Sequence, residues 1–298
     1  MSTTPGPTTD AEIRPYLQAL GLPGLVDVHV HFMPDPVQQA VWRYFDGLGH
    51  KLGMPWPLQY RHDEARRIEI LSELGLLAIP ALTYPHRSGM ARGLNAWCAQ
   101  FAARVPDAVH SATLFPEPDV ADYVLEAVLG GARLFKLHAE VGGFTLDDPR
   151  LAPAWEILAA HRVPVVAHGT TGVESRGAGP VDIANVLARH EGLRLVIAHL
   201  GMPDYHACAD LAEKYPDVML DTALAATDFA VRMAPAPTDY VERLGPLRDQ
   251  IVLGSDFPVI AHPYAHQLRA LADLGLGDDW MRAVLWRNGA RLLGLPRE

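Results

Sequence analysis

The chain has 298 residues, 49% of them hydrophobic and 20% charged, the composition of a globular domain with a large buried core rather than of a disordered chain. A net charge of −10 argues against nucleic-acid partners, because phosphate backbones are held by clustered Lys and Arg that release counterions. No apolar run is long enough to cross a bilayer, and the opening MSTTPGPTTD lacks the basic start and hydrophobic stretch of a signal peptide, so the expected compartment is the cytoplasm.

In chain order, residues 1–12 are rich in Ser, Thr and Pro and read as a flexible tail, while residues 13–298 read as one domain. The first strand run is LVDVHVHF from Leu25. Side chains alternate across a strand, so Asp27, His29 and His31 share one face and Val26, Val28 and Val30 the other. The valines suit a layer of helices, which leaves the two histidines pointing inward. Imidazoles two residues apart at a strand end can reach a common point, as a pair of metal ligands must. His-x-His alone is weak evidence, and its place at the end of the first strand strengthens it. Residues 33–62 follow as an inserted loop with Trp42, Tyr44, Phe45, Trp56 and several prolines. It reads equally as a lid or pocket wall over the catalytic face and as a subunit contact in a homo-oligomer.

Beyond residue 62, helical patterns over 63–73, 95–104, 151–162, 181–190, 205–215 and 239–247 separate further β-rich runs. These are LLAIPALTY from Leu76, VHSATLF from Val109, RLFKLHAE from Arg133, VPVVAHG from Val163, RLVIAHLG from Arg194, VMLDTAL from Val218 and QIVLGSDFP from Gln250. In the fourth run Leu134, Lys136, His138 and Glu140 share the inward face. His168 ends the fifth, His199 lies on the face of Leu195 and Ile197 in the sixth, and Asp256 lies on that of Val252 in the eighth. The closing WMRAVLWRNGARLLGL reads as a helix and a short turn. Cys98 and Cys208, each alone in an Ala-rich helical stretch, read as free, packed thiols.

Eight strand and helix units imply a parallel sheet closed into a (β/α)8 TIM barrel, an α/β fold. An open doubly wound sheet would carry a glycine-rich loop after its first strand, where this chain has HVHFMPDP. Four histidines ending three inward faces are hard to explain as packing. Asp256, if buried, needs a cation, although a helix-capping Asp is the competing explanation.

His29-Val30-His31, Lys136-Leu137-His138, His168, His199-Leu200-Gly201 and Asp256 within GSDFP, in that order, resemble the amidohydrolase superfamily. Within it, the chain is similar to the amidohydrolase-related branch that includes aminocarboxymuconate-semialdehyde decarboxylase-like enzymes, over about Leu25 to Leu295. The resemblance implies one divalent metal held by His29, His31, His168 and Asp256, zinc first, with manganese, iron or cobalt as alternatives. It assigns His199 to activating or orienting the attacking water, and in a hydrolase Asp256 would also pass a proton to the leaving group. Lys136 and His138 are expected substrate contacts. Carbamylation of Lys136, or its salt bridge to Asp27 or Glu140, are the alternatives. Glu140, His86 and Arg176 are weaker candidates, each also explicable as a solvated loop residue. Asp221 is expected to orient a ligand histidine through its ring nitrogen. The implied function is hydrolysis of a small, anionic substrate; a non-oxidative decarboxylase is the alternative, and an inactive metal-binding barrel a third.

Overall fold

The computed structural model describes residues 3–169 and 179–296. Among them the strands are β1 (Leu25–Val26), β2 (Leu76–Pro80), β3 (Ala108–Val109), β4 (Ser111–Thr113), β5 (Leu134–His138), β6 (Val165–His168), β7 (Leu195–Ile197), β8 (Val218–Asp221) and β9 (Ile251–Val252). Each of the eight runs expected from the sequence contains strand, the one from Val109 being divided by His110 into β3 and β4. Helices separate most of them, and every strand pair given a register is parallel, which makes the chain mixed α/β. The chain divides into two compact units, residues 80–221 and residues 1–79 with 222–298.

In the unit of residues 80–221, β4 to β8 lie side by side in sequence order. The register pairs Ser111 with Leu134, Phe135 with Val165, Val165 with Leu195, and Leu195 with Val218, all of them buried. Strands with apolar residues on both faces are what a parallel sheet covered by helices requires. The covering helices include Ala152–Ala160, Pro180–Arg189 and Tyr205–Lys214, each within two residues of its expected bounds at both ends.

In the other unit, β1 and β2 pair in parallel through Leu25 with Leu76. β1 is only two residues long because pairing beyond Val26 goes to the segment after β9 instead. The N–H groups of Val28 and His31 donate to the carbonyls of Leu253 and Phe257, and the N–H of Asp256 donates to His29. The helix Glu64–Leu74 starts where Asp63 accepts the N–H of Arg66 and stops at Gly75, whose φ of 93° suits a residue without Cβ.

Two expectations for this unit need correction. Residues 33–62 are not a plain loop, since Asp35–Leu52 is a helix with proline in its first turn and Gly53 as its left-handed cap. The remainder of the segment docks on the stretch after Asp256. Trp56 Nε1–H donates to the Val259 carbonyl at 2.9 Å, and the Tyr60 ring lies 4.8 Å from that of Phe257. The described part of the opening residues is also anchored rather than free. The Thr4 N–H donates to Asp278 at 2.7 Å, and Asp10 accepts from both Tyr60 and Ala265. A composition rich in Ser, Thr and Pro suggested mobility, but these contacts span 50 residues of sequence or nearly the whole chain, which no local pattern reveals.

Candidate metal centre

The segment after β1 is held by a buried carboxylate. Asp27 is fully buried, and its Oδ1 accepts the N–H of His29 at 2.9 Å and of Ser255 at 3.2 Å. Its Oδ2 accepts the Tyr264 hydroxyl at 2.7 Å. One side chain therefore ties the backbone that carries His29 to the backbone that carries Asp256, which offsets the cost of burying its charge. Asp256 has a left-handed φ of 67°, a conformation that costs a non-glycine residue energy and recurs at functional sites. Alternation along the eighth run could not have located its carboxylate, because the chain has already left β9.

His29 Nε2 and His31 Nε2 lie 3.3 and 3.0 Å from Asp256 Oδ1, and the three ligand atoms all fall within 4.8 Å of one another. Both imidazoles are buried and the Asp256 side chain is 20% exposed, so the cluster keeps a path to solvent. Ligands about 2.1 Å from a cation in a tetrahedral shell stand about 3.4 Å apart, close to the two spacings here. Two imidazoles and a carboxylate that converge in this way fit a divalent cation.

The unit of residues 80–221 gathers a second set of the expected residues. β5 and β6 place His138 opposite His168 in register, and their rings stack at 3.9 Å between centroids and 17° between planes. His138 Nδ1 accepts the N–H of Val141, which leaves Nε2 to carry the proton of the neutral ring. His168 Nδ1 lies 3.0 Å from His199 Nε2, and its Nε2 lies 3.5 Å from Glu140 Oε2. Lys136 is fully buried on β5.

His199 stands beyond the end of β7, with φ 59° and ψ 36°, and Leu200 follows in the same left-handed region. Its backbone N–H donates to Asp221 Oδ1 at 3.0 Å. Asp221, expected to orient a ligand histidine through its ring nitrogen, fixes His199 through the main chain. Gly201 completes the corner at φ 81°, so close to the next helix that a Cβ there would stand 2.3 Å from the Cβ of Cys208. His86 is exposed, as a solvated loop residue would be, and Arg176 lies outside the described residues.

Cys98 and Cys208 are free and buried, as expected, and burial pushes both thiols up to about 12, which keeps them unreactive. Sequence reasoning did not find Tyr264, Tyr60, Asp10 or Ser255. Asp27 was the available signal, since a buried carboxylate must collect donors from somewhere.

The amidohydrolase family pattern matches residues 26–295. The chain belongs to the amidohydrolase family. No curated protein sequence matches it. Among solved structures this amidohydrolase is similar to an uncharacterized Tim-barrel protein from Bordetella bronchiseptica, at 18% identity and a TM-score of 0.70, over 91% of this chain and 98% of that one. It is also similar to 5-carboxyvanillate decarboxylase from Sphingomonas paucimobilis, at 15% identity and a TM-score of 0.62, over 92% and 100% of the two chains. A third is 5-carboxyvanillate decarboxylase from Novosphingobium aromaticivorans, complexed with manganese and 4-hydroxy-3-methoxy-5-nitrobenzoic acid, at 12% identity and a TM-score of 0.62, over 93% and 97%. At such identities the likeness is one of fold, and it bears out the TIM-barrel class, while the family match over residues 26–295 bears out the superfamily resemblance read from the sequence. The family match makes the chain an enzyme of the amidohydrolase kind. No helix among the described residues is long and apolar enough to cross a membrane.

Proposed function

We propose that this amidohydrolase is a metal-dependent hydrolase acting on a small, anionic substrate. The observation that carries the proposal is the convergence of His29, His31 and Asp256, whose ligand atoms lie within 4.8 Å of one another. These three residues would hold one divalent cation. The order of the motifs along the chain and the family membership support His168 as the fourth ligand. When bound, the metal polarises a substrate carbonyl and lowers the pKa of water to about 7, with zinc suited to the three imidazoles and one carboxylate and manganese, iron or cobalt also compatible.

The residues of the chain do the rest. His199 Nε2, 3.0 Å from His168 Nδ1, would accept a proton during attack and return it. Asp256, the more exposed of the three converging side chains, would pass a proton to the leaving group. The buried Lys136 supplies positive charge for an anionic substrate, and His138, protonated at Nε2, supplies a donor. The residues 33–62, docked on the stretch after Asp256, would form one wall of the substrate pocket. The net charge of −10 fits a small-molecule substrate rather than a nucleic acid.

The second reading is non-oxidative decarboxylation. Two of the structural relatives are 5-carboxyvanillate decarboxylases, one of them holding manganese and a nitrobenzoic acid. A bound metal together with a cationic substrate contact would suit an aromatic carboxylic acid as well as an ester or amide. Metal-reconstituted protein, assayed on lactones, amides and hydroxybenzoic acids for released acid and released carbon dioxide, separates the two. Elemental analysis should find about one metal per chain. Acid release without carbon dioxide is the expected outcome, carbon dioxide release moves the assignment to a carboxy-lyase, and absence of metal after reconstitution removes both.

A further inference from the structure

The opening segment of the chain is joined to the candidate metal centre through hydrogen bonds that meet at Tyr264, entering at its N–H and leaving from its hydroxyl. Asp10 Oδ2 accepts the Tyr60 hydroxyl at 2.5 Å, and Asp10 Oδ1 accepts the N–H of Ala265 at 2.8 Å. The Tyr60 oxygen accepts the N–H of Tyr264 at 2.6 Å. The Tyr264 hydroxyl donates to Asp27 Oδ2, and Asp27 Oδ1 takes the N–H groups of His29 and Ser255. Both ends of the line are carboxylates, which only accept, so each tyrosine has one place for its proton and the direction of every bond is fixed. Burial and the neighbouring carboxylates hold both phenols well above their ordinary range, so each keeps its proton and its role as donor.

Three stretches that are remote in sequence meet along this line: the opening residues, the end of the 33–62 segment, and the start of the helix Tyr264–Asp273. Tyr264 is fully buried and Tyr60 is 6% exposed, whereas Asp10 is only half-buried. The one accessible group is therefore the one contributed by the opening segment. A carboxylate hydrogen-bonded to two phenols or amides in a water-poor setting is a firm anchor, and each link limits the freedom of the next.

We propose that residues 3–12 act as a strap for the metal centre, with Asp10 and Tyr60 as positioning residues. Through Tyr264 and Asp27 they set the spacing between the backbone carrying His29 and the backbone carrying Asp256. The strap rests on the reading of His29, His31 and Asp256 as ligands, and it goes beyond that reading by making ligand geometry depend on a residue at the surface.

Cobalt(II) tests it, because its visible absorption reports ligand geometry independently of turnover. Wild type, Asp10→Ala, Tyr264→Phe and Tyr123→Phe are titrated with Co²⁺ while their melting temperatures are recorded. Tyr123 is the control, a buried tyrosine whose hydroxyl bonds to Phe115 in the other unit. Asp10→Ala and Tyr264→Phe are expected to shift the cobalt band and to weaken Co²⁺ binding roughly tenfold, the loss typical when a partner that orients a ligand is removed. Tyr123→Phe should lower the melting temperature and leave both cobalt readings unchanged. If Asp10→Ala and Tyr264→Phe behave like Tyr123→Phe, the strap is wrong and the metal reading stands. A wild-type protein that takes up no Co²⁺ overturns the metal reading and the strap with it.

Discussion

The two clusters of functional side chains are positioned by different means. His138 and His168 owe their stacked arrangement to the ladder between β5 and β6, in which every residue contributes to the register. His29 and Asp256 lie where the chain has left its strands, and Asp27 bridges the two backbones that carry them. A ladder spreads positioning over many backbone bonds, whereas the bridge concentrates it in one carboxylate. Side chains on the ladder can therefore be exchanged with the backbone left intact, and the bridge cannot.

The largest expected effects sharpen this contrast by separating loss of function from loss of fold. His199→Ala should keep its metal and lose roughly a hundred to ten-thousand-fold in turnover, while His168→Ala should come off the column depleted of metal. Both should melt within a few degrees of wild type, because the strands that carry or precede them are untouched. Metal analysis, turnover and thermal melting on the same preparations check this. Metal loss in His199→Ala would show that it is a ligand rather than a proton-handling group.

Asp27→Ala is expected to weaken the fold itself. It leaves the N–H groups of His29 and Ser255 and the Tyr264 hydroxyl buried without an acceptor, at a cost of roughly 3–5 kcal/mol. His138→Asn, on the ladder, should cost under about 1 kcal/mol. Urea unfolding of the two variants compares them directly. Equal losses would erase the distinction between the two clusters.

Acid should act on the bridged unit in a similar selective way. Burial pushes the His262 imidazole down from 6.5 to about 4, and its Nδ1–H donates to the Pro263 carbonyl. The unfolded chain takes up this proton below about pH 6.5, while the folded chain takes it up only near pH 4. His262 therefore costs stability as the pH falls through that window, by about 3 kcal/mol at its lower end, and contributes no pH dependence above it. His262→Asn, which can keep a donor to Pro263, should be less acid-sensitive than wild type when unfolding is followed by denaturant at several pH values. An identical pH profile would locate the sensitivity elsewhere.

The same contrast explains what the sequence could disclose. The strands were legible because runs such as LFKLH and VVAH carry β-branched and large apolar residues that a covered parallel sheet needs, and His168 could be placed by alternation alone. His199 and Asp256 could not, since both take left-handed backbone conformations just past a strand end, where alternation no longer applies. Alternation nonetheless put both on inward faces, on a strand geometry that neither residue has, and their motifs, HLG and GSDFP, identified them through resemblance as well. Asp10, Tyr60 and Tyr264 were illegible for another reason. They matter only through one another across 50, 204 and 255 residues of separation, and no local period records such distances. The opening residues were misread as mobile on composition, although Asp10 and Thr4 have fixed partners.

The corner at Gly201 constrains how this protein can change over generations. A Cβ at that position would meet Cys208 at 2.3 Å, so Gly201 cannot mutate alone, and a residue much larger than cysteine at 208 would press on the turn that presents His199. Two positions seven residues apart thus drift as one unit. A lineage that enlarges the helix at 208 must therefore give up the present placement of His199 at the same time.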